Sequence, residues 1–153
     1  MTMITEVISE STSQTRALGK KIGRSARGGD VILLVGDLGA GKTTFTQGIA
    51  VGMGVQTTVR SPTFVMVSEH PGKMPLYHID LYRIDDVAEA LDLGIEEYTS
   101  GEGVCVVEWG DRAISAFPDG FLMVYLEDIG GSTRRFTFDA TRLGDHRLLS
   151  GIC

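Results

Sequence analysis

The chain contains no asparagine. The Asn-Lys-x-Asp motif with which G proteins read guanine therefore cannot be built from it. Cysteine is scarce as well: Cys105 lies inside an apolar run and Cys153 is the last residue. That pair gives neither a metal-ligand spacing nor a disulfide framework, and reduced thiols are expected. No segment approaches the ~18 consecutive apolar residues of a membrane span, so no membrane partner is expected. Met1-Thr2-Met3-Ile4-Thr5-Glu6 lacks the basic-then-apolar order of a signal peptide, and a cytoplasmic location is the expectation. Positive charge is outnumbered, with 14 Lys and Arg against 20 Asp and Glu and a net charge of −6. Such a balance argues against nucleic-acid binding by bulk electrostatics, although a local basic patch is still possible. No internal repeat or low-complexity tract breaks the 153 residues, enough for one domain with one core. The expectation is a single domain over 1–153 with a poorly defined tail from about 140. There is no room for a separate substrate domain, which hints at a second substrate brought by a partner.

What is present centres on Gly36-Asp37-Leu38-Gly39-Ala40-Gly41-Lys42-Thr43, which fits the G-x-x-x-x-G-K-[ST] phosphate-binding loop. Its flanks agree. Val31-Ile32-Leu33-Leu34-Val35 reads as a buried strand, and Thr43-Thr44-Phe45-Thr46-Gln47 opens a helix that ends near Gly52-Met53-Gly54. Glycines let successive backbone N–H groups turn towards the phosphates, and the helix N-terminus adds a positive dipole end. Lys42 is expected to reach the β- and γ-phosphates, and the Thr43 hydroxyl to hold Mg²⁺. The bland alternative is a glycine-rich turn between a strand and a helix. With guanine recognition by that motif excluded, ATP is the better expectation.

Elsewhere the pattern is mixed. Ser11-Thr12-Ser13-Gln14 reads as a capping box opening a helix over about 12–27, ended by Gly28-Gly29. Extended segments are expected from Arg60-Ser61-Pro62-Thr63 through Phe64-Val65-Met66-Val67, and at Leu76-Tyr77-His78-Ile79-Asp80. The turn His70-Pro71-Gly72-Lys73 joins them as an antiparallel hairpin. A short helix over about 87–93 follows Asp85-Asp86 and stops at Gly94. Val104-Cys105-Val106-Val107-Glu108 is another buried strand. Segments 121–126 and 135–138 form a hairpin around Gly130-Gly131-Ser132, and the tail reads as a frayed helix. The fold class expected is α/β: a three-layer P-loop NTPase-like core, its central sheet part parallel and part antiparallel, flanked by helices.

Nucleotide hydrolysis calls for a second carboxylate near the metal, usually at the end of a buried strand. Asp80 and Glu108 both end apolar strands, where ligands bind in open α/β sheets. Periodicity does not say which holds the metal and which positions water, and either could be a solvated strand-end residue. Ser61-Pro62-Thr63 is either a nucleotide-sensing segment or a strand start after proline. Trp109, Tyr82, Arg83 and the Arg134-Arg135 pair read first as core, surface or solvated groups.

Four segments occur together in order: residues 36–44, Ser61-Pro62-Thr63-Phe64, Tyr77-His78-Ile79-Asp80-Leu81-Tyr82-Arg83, and Val107-Glu108-Trp109. In this the chain resembles the bacterial TsaE family (also called YjeE), small P-loop ATPases needed to make threonylcarbamoyladenosine in tRNA. The resemblance runs from about Ser11 to at least Phe138 and includes Leu93-Gly94-Ile95-Glu96-Glu97-Tyr98. Phe64 stands where many members have Tyr.

The resemblance implies ATP and Mg²⁺ as cofactors. Asp37, Leu38, Gly39, Ala40, Gly41, Lys42, Thr43 and Thr44 would form the phosphate grip. Glu108 would complete the metal site with Thr43, and Asp80 would orient or deprotonate the attacking water. Thr63 would lie beside the γ-phosphate and Trp109 next to the site. A position between Thr12 and Thr15, with Thr12 as the candidate, would approach the adenine, and Arg134 rather than Arg135 would close the nucleotide pocket. The implied partners are the carbamoyl-transferase subunit and its dimerising paralogue (TsaD and TsaB types), with tRNA reached indirectly through them, and ATP hydrolysis resetting that complex. Against a partner-activated ATPase stand a small-molecule kinase, for which no arginine-rich lid is visible, and a nucleotide-dependent binding module without turnover.

Overall fold

The computed structural model describes residues 3–60 and 67–152. In chain order the elements are β1 (Ile4–Ser9), α1 (Thr12–Ser25), β2 (Val31–Val35), α2 (Lys42–Met53), β3 (Val67–His70), β4 (Leu76–Asp80), α3 (Val87–Asp92), α4 (Ile95–Thr99), β5 (Val104–Glu108), β6 (Phe121–Gly130) and β7 (Thr133–Asp139). Two 3₁₀ segments, Gly110–Ala116 and Arg147–Leu149, complete them.

The strands form one sheet in the order β1-β7-β6-β2-β5-β4-β3. Its centre, β6-β2-β5-β4, is parallel. The flanks β7-β1 and β3 are antiparallel. The expected mixed sheet with helices on both faces is what forms. The all-apolar run of β2 follows from this placement, because both faces of a central parallel strand are covered. Ile32 and Leu34 point into one core with Ile22, Phe45, Ile49 and Phe136. Val31 and Leu33 point into the other with Ile79, Ile95, Val107 and Phe117. Phe45 and Phe136 are fully buried with ring centroids 5.2 Å apart, and each such side chain contributes about 1.5–3 kcal/mol by leaving water. Cys105, in β5, is a free buried thiol pushed up to about 12 by burial. Cys153 lies outside the described residues.

The Ser11 side chain accepts from the Gln14 N–H at 3.0 Å, and the Gln14 side chain reaches back to the Glu10 N–H at 2.7 Å. The cap therefore forms as the sequence suggests, although the helix ends at Ser25 rather than near Arg27. α1 lies directly on α2. A Cβ on Gly48 would stand 2.2 Å from the Arg16 carbonyl oxygen, and one on Gly19 would stand 2.3 Å from that of Phe45. Only glycine permits this approach, and it braces the helix that begins at the glycine-rich loop 36–41.

Four regions differ from the sequence expectation or had none. Ile4–Ser9 is a strand, paired antiparallel to β7 along its whole length. Residues 95–99 and 110–116 are helical turns. The tail is docked rather than frayed: Leu148 and Leu149 are fully buried, and the Arg147 guanidinium donates to Asp30 at 2.5 Å and to the Ser25 carbonyl at 2.8 Å. The expected strand over 64–67 appears only from Val67, since Phe64, Val65 and Met66 lie outside the described residues. The β3–β4 hairpin itself is present. No helix among the described residues is long and apolar enough to cross a membrane.

Candidate functional site

The C-terminal ends of three parallel strands are level. Leu34 of β2 pairs with Glu108 of β5, and Glu108 with Asp80 of β4. The loop 36–41 leaves β2 just above this line and enters α2 through Gly41, whose φ of 103° only glycine adopts without strain. Asp37, Leu38 and Gly39 are exposed on the loop, Ala40 is buried beneath it, and Gly41 and Thr44 are half-buried.

Lys42 is buried at the start of α2. Its Nζ donates to the carbonyl oxygens of Gly36 at 2.5 Å and Asp37 at 2.8 Å. The Trp109 ring covers it, with Nζ 4.1 Å from the centroid. Burial lowers this ammonium from its ordinary value of 10.5, against the pull of Glu108, Asp80, Asp37 and Asp111. The cation is thus held against the loop's own carbonyls with acids around it.

Next in the helix, the Thr43 hydroxyl donates to both oxygens of Glu108, at 3.3 and 3.1 Å. Two hard oxygen donors at a helix N-terminus suit a Mg²⁺ that keeps water and phosphate oxygens as its other ligands. Among the described residues no group of three or more His, Cys, Asp or Glu forms a ready-made cage. Glu108 is buried. Asp80 stands half-buried on the adjacent strand, where its Oδ1 accepts from the Tyr82 N–H at 2.8 Å.

Trp109 follows Glu108 with φ 60°, the one positive value at a non-glycine among the described residues. Side chains enter this region at a cost of about 1–3 kcal/mol. The conformation turns the indole over Lys42 while Tyr82 packs on it at 5.1 Å, and Arg112 lies 5.2 Å from the same ring.

The remaining candidates divide. The Arg134 guanidinium donates to the Gly39 carbonyl oxygen at 3.3 Å and to Asp128 at 3.2 Å, so it touches the loop. Arg135 instead pairs with Glu127 and Glu6. Thr12 is exposed in the first turn of α1. The α1 residue beside the loop is Thr15, buried, hydrogen-bonded to Ser9 at 2.8 Å, with its methyl 3.9 Å from where a Gly41 Cβ would be. Thr63 lies outside the described residues. One neighbour of the acids had no role from sequence: His78, whose Nε2 lies 2.5 Å from Glu108 Oε2. Its sequence signal was a polar residue at an inward position of an otherwise apolar strand.

Comparison with known proteins adds family to geometry. The sequence model described as "Threonylcarbamoyl adenosine biosynthesis protein TsaE" matches residues 9–136. The chain is 45% identical over 128 residues to the tRNA threonylcarbamoyladenosine biosynthesis protein TsaE of Bacillus subtilis strain 168, covering 83% of this chain and 80% of that protein. It is 38% identical over 130 residues to the protein of the same name from Treponema pallidum strain Nichols, covering 85% and 96%. The crystal structure of Bacillus subtilis YdiB superposes with a TM-score of 0.83 at 36% identity, covering 97% of this chain and 93% of that one. Both the match across 9–136 and the shared fold lead to one conclusion: the chain belongs to the TsaE family.

Proposed function

We propose that this protein binds and hydrolyses ATP with Mg²⁺ as a component of the machinery that makes threonylcarbamoyladenosine at position 37 of tRNA. Hydrolysis resets the threonylcarbamoyl-transferase complex, built of TsaD- and TsaB-type subunits, between turnovers. The tRNA is met through that complex, in the cytoplasm. The names of the relatives support the tRNA assignment. The ATP assignment is carried by the meeting of Lys42, Thr43 and Glu108 at the carboxyl end of β2.

Each residue's part follows from its place. Backbone N–H groups of 37–44 hold the phosphates, and Lys42 leaves the Gly36 and Asp37 carbonyls to meet the β- and γ-phosphate oxygens. Thr43 and Glu108 are the residues that would hold Mg²⁺, which when bound neutralises charge on those oxygens. Asp80 orients or deprotonates the water that attacks the γ-phosphorus. The P–O bond to the bridging oxygen breaks and ADP leaves with the electron pair. Arg134 steadies the loop from outside and closes the nucleotide pocket, with the first turn of α1 from Thr12 on its adenine side. Trp109 keeps water off one side of Lys42.

Calorimetry of ATP binding tests this. Lys42→Ala removes charge-assisted bonds worth about 1.5–3 kcal/mol, so affinity is expected to fall by ~10–100-fold. Equal affinity in wild type and variant would refute the assignment.

A further inference from the structure

Glu108 is held from two sides, and only one hold belongs to the phosphate loop. On the other side is His78, one strand over. β4 and β5 run parallel with His78 opposite Val106. Side chains alternate along a strand, so His78 and Glu108 share the face that packs on α2. His78 is fully buried and Glu108 nearly so. The contact is 2.5 Å, from His78 Nε2 to Glu108 Oε2. A carboxylate can only accept, so Nε2 carries the hydrogen. Consistent with that tautomer, His78 Nδ1 is buried with no hydrogen-bond partner among the described residues.

These two holds are not equivalent. The Thr43 hydroxyl spans both oxygens of Glu108, and it is itself a proposed metal ligand, so its hydrogen bond must change when the nucleotide arrives. His78, unlike Thr43, is not itself a group that nucleotide binding recruits, so its hold on Glu108 can persist when the nucleotide arrives. It ties one oxygen, Oε2, which Thr43 also approaches at 3.1 Å, and leaves Oε1 with the longer Thr43 contact of 3.3 Å.

We propose that His78 is a positioning residue: its Nε2–H fixes the Glu108 carboxylate so that one oxygen is presented, already oriented, to a magnesium–nucleotide at the loop. The inference rests on the nucleotide reading above. It assigns to His78 the part that outer partners play at metal sites, where loss of such a partner typically weakens metal affinity by ~10–100-fold.

The test compares binding of the non-hydrolysable imido analogue of ATP in Mg²⁺ and in EDTA, by calorimetry on the full chain. Wild type is expected to bind more tightly with Mg²⁺. His78→Leu keeps the EDTA affinity but needs ~10-fold or more Mg²⁺ for the same tightening. His78→Gln, which retains an N–H donor at similar reach, recovers most of the loss. Full Mg²⁺ tightening in His78→Leu overturns this inference alone, as does an affinity loss equal in Mg²⁺ and EDTA. A wild-type chain without any Mg²⁺ effect overturns the magnesium–nucleotide reading and this inference with it. If His78→Leu does not fold, ¹⁵N-histidine spectra of the wild type decide. An Nε2–H tautomer whose His78 signal moves when Mg²⁺ joins the analogue-loaded chain supports the assignment. An Nδ1–H tautomer, or a signal indifferent to Mg²⁺, overturns it.

Discussion

Asp80 and Glu108 end neighbouring parallel strands and stand opposite each other in register, yet they are held in unlike ways. Glu108 is buried, with a histidine on one oxygen and a threonine hydroxyl across both. Asp80 sits half-buried at the lip, with one oxygen capping its own turn through the Tyr82 N–H. A carboxylate fixed by side chains from two different elements keeps one orientation, which suits a ligand that must be met in a defined geometry. A half-buried carboxylate at a strand end suits a group that meets water. Strand periodicity alone leaves the two acids interchangeable, and it is their environments that differ.

Substitution sharpens the contrast. Glu108→Gln is expected to abolish the Mg²⁺-dependent tightening of ATP binding and to cut turnover by ~10³-fold, the scale of several kcal/mol of metal-assisted stabilisation. Release of labelled phosphate under saturating ATP measures it. Asp80→Asn should leave Mg²⁺·ATP affinity unchanged while turnover in the presence of partners falls by ~10²-fold, as for loss of a general base. If both variants lose the same property, the division between the two acids is wrong.

Stability should divide the same way. Glu108→Ala leaves the buried His78 N–H without its acceptor and should cost about 1–3 kcal/mol in urea unfolding. Asp80→Ala loses a turn cap nearer the surface and should cost ~1 kcal/mol or less. A larger loss from Asp80→Ala would reverse the ranking of the two environments.

Elements whose signal is local were legible. The apolar runs of β2 and β5, the Ser11 cap of α1 and the loop that opens α2 each declare themselves within a few residues. β1 did not, because half of its residues face solvent and its strand partner, β7, lies more than a hundred residues away. The tail was misread for a related reason: Leu148 and Leu149 look like any short apolar pair until the core they fill is known, and Arg147 until Asp30 is found beside it.

Of the candidate site, the glycine-rich loop and the strand-end positions of both acids could be read from pattern, whereas it takes the structure to set Arg134 against the loop and Arg135 against Glu127. Within the span from Thr12 to Thr15 expected near the adenine, Thr15 is the residue that stands beside Gly41, while Thr12 is exposed. His78 was quoted within a motif but could be given no work, because a histidine in an apolar strand names no partner until register sets it beside Glu108. The sensing role suggested for Ser61-Pro62-Thr63 lies outside the described residues.

ATP turnover by the purified chain, alone and with the purified threonylcarbamoyl-transferase subunits and tRNA, is the most direct test. Slow hydrolysis alone that accelerates with the complex and yields only ADP and phosphate is the predicted result. ATP left unconsumed in both conditions, or its phosphate recovered on a small-molecule acceptor, would contradict it.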